Sequence, residues 1–107
     1  MYKVIRLEEF AEWLDNLRDK TTRIRLSRRL EKAQKGNLGD VKPVGNGVYE
    51  MREFFGSGWR MYYVISGKTL IIMLGGGDKS SQSKDIKNAI ELAQRLEGES
   101  ASEAEDD

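Results

Sequence analysis

The chain contains no cysteine and no histidine in 107 residues, and only one proline. The first absence excludes a disulfide framework and a thiolate metal site. The second removes the commonest metal ligand and the commonest general base near neutral pH. Any chemistry must therefore run on Lys, Arg, Tyr, Asp, Glu or the backbone, and neither a metal nor a small-molecule cofactor is expected. Long hydrophobic runs are also lacking. None approaches the roughly 20 apolar residues of a membrane span, and MYKVIRLEEF has no apolar core of a secretory signal. A cytoplasmic protein with no membrane partner is expected, and the length suits one small domain.

What is present is charge, unevenly placed. The formal total is zero, from 18 basic and 18 acidic residues. From Glu97 onward EGESASEAEDD holds six acidic residues and no basic one, which leaves residues 1–96 with 18 positive charges against 12 negative. The body is basic, and a basic body favours a polyanionic partner. The segment 97–107 has little apolar content and no periodicity, so it reads as a disordered acidic tail after a domain of residues 1–96.

Hydrophobic spacing supplies the elements. YKVIRL reads as a strand, and LEEFAEWLDNL as an amphipathic helix with Phe10, Trp13, Leu14 and Leu17 on one side. After Asp19, Lys20, Thr21 and Thr22, which include good N-cap residues, RIRLSRRLEKAQKG reads as a second helix closed by Gly36. Its apolar stripe is Leu26, Leu30 and Ala33, and Arg25, Arg28, Arg29 and Lys32 form a cationic stripe on another side. GNLGDVKPVGNG reads as a turn-rich connector. VYEMREF, GWRMYYVI and TLIIMLG read as three strands joined by short glycine-bearing turns, hence antiparallel. SQSKDIKNAIELAQRLEG reads as a last helix buried through Ile86, Ile90, Ala93 and Leu96. The expected order is β-α-α-β-β-β-α, an α+β fold.

Strand alternation puts Val48, Glu50 and Arg52 on one face and Tyr49, Met51 and Glu53 on the other. In the next strand Arg60, Tyr62 and Val64 oppose Met61, Tyr63 and Ile65. The more apolar set should pack on helices, which leaves Arg52, Arg60 and Tyr62 on an open or concave face within reach of Lys79. Trp59 and Tyr62 beside arginine are the aromatics placed to stack on an RNA base. The turn LGGGDKSSQ has neither the GxxxxGK[ST] spacing of a phosphate loop nor a dinucleotide GxGxxG in a parallel unit. It reads as a strand-to-helix turn that sets Lys79 beside Arg60.

Three motifs in order, GNLGDVKPVGNGVYEMRE, GSGWRMYYV and LGGGDKSSQSKDI, resemble the phage-associated HigB-type killer proteins of the RelE/ParE toxin superfamily, across residues 5–96. The resemblance implies a helical hairpin packed on a curved, mostly antiparallel sheet, with a mobile C-terminal helix. It also implies the toxin of a type II toxin–antitoxin pair. Its partners would be a helix-turn-helix antitoxin and, for RelE-like members, the translating ribosome and its messenger RNA, which is cleaved. ParE-like members instead bind DNA gyrase without RNA chemistry, and a weakly toxic corepressor is a further alternative.

By the same resemblance the working cations are Arg52, Arg60 and Lys79, the residues that alternation brings together. Metal-free RNA cleavage needs a proton removed from a 2′-hydroxyl, a pentacovalent phosphate stabilised, and a proton given to the leaving 5′-oxygen. Guanidinium groups suit the second task. Glu50, Asp78, Asp85 and Tyr62 stand as alternatives for the base. Asp85, or nearby Gln82, occupies the place where RelE proteins have a tyrosine, and Glu50 a place where they have a lysine. The helical stripe Arg25, Arg28, Arg29 and Lys32 is expected to bind ribosomal RNA.

Overall fold

The computed structural model describes residues 1–105, with side chains as far as residue 99. The elements are β1 (Lys3–Arg6), α1 (Glu8–Asp15), α2 (Lys20–Gln34), β2 (Val41–Gly45), β3 (Val48–Arg52), β4 (Arg60–Ser66), β5 (Leu70–Gly77) and α3 (Gln82–Glu105), with a 3₁₀ turn at Lys79–Ser81 leading into α3. The five strands form one sheet in the order β1-β5-β4-β3-β2, antiparallel except where β1 pairs with β5. The α+β architecture is the expected one. Among the described residues no helix is long and apolar enough to cross a membrane.

The sheet has one strand more than the sequence pattern announces. β2 lies in the connector GNLGDVKPVGNG, where Pro43 and flanking glycines read as turn. It is the edge strand beside β3, and an edge tolerates Pro43 because the missing N–H is needed only on a side that has no neighbour.

The second difference decides where the site can be. α1 and α2 bury Phe10, Leu14, Leu26, Leu30 and Ala33 against Met51, Met61, Tyr63, Ile71 and Met73 on one face of the sheet. The other face is covered too: α3 buries Ala89, Leu92 and Ala93 against Val48, Tyr62 and Leu74. Alternation therefore sorts the side chains correctly, but the face assigned to Arg52, Arg60 and Tyr62 is a second core. Ala93 is buried as expected, whereas Ile86, Ile90 and Leu96 flank that core half-buried. The helix also runs through the position set as the start of a disordered tail: α3 continues past Glu97 to Glu105, through a stretch rich in the helix formers Ala and Glu. Asp106 and Asp107 lie outside the described residues.

Candidate functional site

The charged residues sort into three environments. The first is interior. Glu50 is fully buried, Arg60 is 6% exposed and Tyr62 fully buried, with Glu50 and Tyr62 under the N-terminal part of α3. Arg60 Nε faces Glu50 Oε1 at 3.6 Å, and among the described residues neither atom has a hydrogen bond. Gln82 Nε2 donates to Glu50 Oε2 at 2.9 Å, tying the start of α3 to β3. Among the described residues the Tyr62 hydroxyl has no hydrogen-bond partner, and burial, reinforced by the Glu50 and Asp85 carboxylates, pushes its pKa well above the ordinary phenol value. Glu50 and Tyr62 thus do not reach an external substrate. This corrects their assignment as an accessible base and as a base-stacking residue. The physical reason is the helix on top of them.

The second environment is structural. Arg29, expected on the exposed cationic stripe, is 8% exposed and makes five hydrogen bonds. Its Nη1 donates to Arg52 O and to Glu53 Oε1, its Nε and Nη2 both donate to Leu38 O, and Nη2 also donates to Asp40 O. Gly39 lies against this guanidinium with φ +68°, and a Cβ there would sit 2.9 Å from Arg29 Cζ. The GNLGD motif is therefore the dock for Arg29. The remaining stripe members Arg25, Arg28 and Lys32 are exposed. The glycine turn has a similar explanation. A Cβ on Gly76 would collide with the Trp13 ring, and one on Gly77 with Asp85. Asp78 accepts from the Ser80 backbone N–H at 2.9 Å and from the Ser80 hydroxyl, and that hydroxyl above all holds its carboxyl below the ordinary value. The capping group is Asp78. Asp85 accepts from the Ser81 hydroxyl and lines a groove of about 310 Å³ between α1 and α3, which Arg95 lines and Arg52, Arg60 and Lys79 do not.

The third environment is open. The β3–β4 loop, Glu53 to Trp59, carries Phe54 at 69% exposure. The guanidinium carbons of Arg52 and Arg60 each lie 5.5 Å from the centre of its ring. Phe54, Gly56, Ser57, Gly58, Arg60 and Lys79 line a depression of about 270 Å³. The Lys79 backbone N–H donates to Ser57 O at 3.3 Å, which fixes the loop to the turn before α3. Arg60 Nη1 donates to Glu53 O and Trp59 O, leaving only an edge of this guanidinium at the depression. Arg52 is half-exposed and paired with Asp40 at 3.1 Å, on the surface where such a pair is weak and exchangeable. On the α2 side Arg25 lies 3.7 Å above the Phe55 ring. Trp59 is half-buried and tilts against Trp13, ring centres 6.3 Å apart, beside the first core.

Arg60 and Lys79 thus line one depression and Arg52 flanks it beside Phe54, while Glu50 backs Arg60 from inside and Asp85 lines a different groove. The residue the sequence reading missed is Phe54. Two adjacent phenylalanines in a glycine-bearing loop give no periodicity from which to tell the inward one from the outward one.

Comparison with known proteins agrees with this architecture. The family model described as "Phage derived protein Gp49-like" matches residues 12–97. A protein of Haemophilus influenzae, named only as uncharacterized, is 42% identical over 87 residues, covering 81% of this chain and 88% of its own. A chain of the crystal structure of the intact E. coli RelBE toxin–antitoxin complex superposes with a TM-score of 0.57 at 21% identity, over 73% of this chain and 96% of that one.

Proposed function

The chain belongs to the Gp49-like family of phage-derived proteins and has the RelE fold, and from that premise we propose that it is the toxin of a toxin–antitoxin pair that cleaves messenger RNA on the ribosome. The observation that carries the reading is an open depression lined by Arg60 and Lys79, with the Arg52 guanidinium beside it, 5.5 Å from the centre of the Phe54 ring that forms part of its wall. A phosphodiester entering it meets fixed guanidinium and ammonium groups. As the 2′-hydroxyl passes its proton to solvent water and its oxygen bonds to phosphorus, the bond to the 5′-oxygen breaks, and the charge growing on the phosphate oxygens is stabilised by Arg60 and Lys79, already held at the depression. Arg52 can exchange its exposed Asp40 partner for phosphate. Lys79 is the member of the trio able to pass a proton to the leaving 5′-oxygen, since arginine does not give one up. Glu50 acts as a positioning residue, holding Arg60 by its Nε side so that the other edge meets the depression.

The antitoxin partner rests on the likeness to the RelBE toxin, and a small helix-turn-helix protein is its expected form. The test is a cell-free translation reaction on a defined message, with new RNA 5′ ends mapped by primer extension. Wild-type protein should produce ends within ribosome-occupied codons, and Arg52→Ala and Lys79→Ala should each lower cleavage by at least about tenfold. These two side chains are preferable to Arg60 for the test, because removing Arg60 strands Glu50 in the interior. Intact message under these conditions, with inhibition of gyrase supercoiling, would favour the ParE-like reading instead.

A further inference from the structure

We propose that Phe54 is the platform on which an unpaired nucleobase stacks, next to the phosphate held by the cations. The inference rests on the RNA-cleaving reading and adds a binding residue to it. A large apolar side chain exposed singly needs no explanation. Phe54 is distinguished by its surroundings. At 69% exposure its ring is free to be covered, and two guanidinium groups stand at 5.5 Å from its centre. A nucleotide has the same two parts, a flat base and an anionic phosphate, at a comparable separation.

The loop is also braced to present the ring. Gly58 N–H donates to Phe55 O at 3.1 Å, Lys79 N–H to Ser57 O at 3.3 Å, and Phe55 itself is clamped under Arg25. The neighbouring aromatics are engaged elsewhere, Trp59 against Trp13 and Tyr62 in the second core. A phenyl ring has a π-face and no hydrogen-bonding group, so the stacked base is recognised as unpaired and not by its identity. Any sequence preference of the toxin must then come from other contacts.

The test is fluorescence anisotropy with a labelled 2′-O-methyl RNA oligonucleotide, which cannot be cut, and the same oligonucleotide with single abasic positions scanned along it. Parallel measurements use ribosomes programmed with a message carrying 2′-O-methyl and abasic substitutions. Phe54→Ala should weaken binding about tenfold, and Phe54→Trp should restore it. At one position the abasic probe should bind wild-type and Phe54→Ala protein equally. Equal loss on intact and abasic probes at every position would mean that Phe54 only orders the arginines, and would overturn the proposal. So would unchanged RNA binding by Phe54→Ala, including the case where that variant instead loses its antitoxin. Either result leaves the RNA-cleaving reading standing so long as wild-type protein binds. No binding by wild-type protein, free or on ribosomes, would remove that reading and the stacking role together.

Discussion

At the scale of the residue, the pair Glu50–Arg60 has the most at stake. Both are buried, their facing atoms are 3.6 Å apart, and the hydrogen bonds of Arg60 are to backbone carbonyls. Such a pair adds little net stability, but removing one member strands the other in a low-dielectric interior. Glu50→Ala is therefore expected to destabilise the fold by about 3 kcal/mol. Glu50→Ala combined with Arg60→Met should recover part of that loss, because no charge is left behind. Urea unfolding followed by circular dichroism checks both, and additive losses in the double variant would show that the two side chains do not act as a pair. Arg29 shows how little of this was legible in the sequence. Its position beside Arg25, Arg28 and Lys32 says only that it is another cation on a helix. Its burial depends on carbonyls of Leu38, Asp40 and Arg52, which the fold delivers from distant positions.

At the scale of the element, α2 and the turn into α3 start on aspartates, whereas α1 starts after Leu7 with no side-chain cap. Asp19 caps α2, accepting from the Thr21 backbone N–H at 3.1 Å and the Thr22 hydroxyl at 2.8 Å, and Asp78 caps the turn before α3. Both carboxyls are held below the ordinary value, Asp19 chiefly by the Thr22 hydroxyl and Asp78 chiefly by the Ser80 hydroxyl. Their folded pKa values are depressed, so on acidification the unfolded chain takes up protons first. Their contribution is complete above the ordinary Asp value of about 3.9 and is lost as pH falls through the lowered folded values. Replacing both with Ala should lower the thermal midpoint at pH 7 and flatten its decline in acid; a decline as steep as wild type would refute the assignment. Elements with strong periodicity were readable from sequence, α1, α2, β4 and β5 among them. β2 was not, because an edge strand containing Pro43 and ending in Gly45 has the composition of a turn.

At the scale of the whole molecule, charge and layering matter. Arg28 and Lys32 are exposed on α2, and with the basic body they favour a nucleic-acid partner. If both contact RNA phosphates, Arg28→Gln with Lys32→Gln should reduce the slope of log affinity for programmed ribosomes against log salt by about 1.4. The thermal midpoint should stay unchanged; an unaltered slope would make this helix face merely solvated. Sequence could not show that the sheet is covered on both sides, since the number of faces a helix layer covers is a property of packing. That double cover makes the sheet a wall shared by two separate cores. Opening free energy should therefore be set face by face: in hydrogen exchange, amides of α3 are expected to exchange when the smaller core alone lets go, and those of β4 only when both do. The interior Glu50, Arg60 and Tyr62 then become solvated at the cost of one layer, and a ligand that binds only the opened form gains access to them by supplying that smaller free energy.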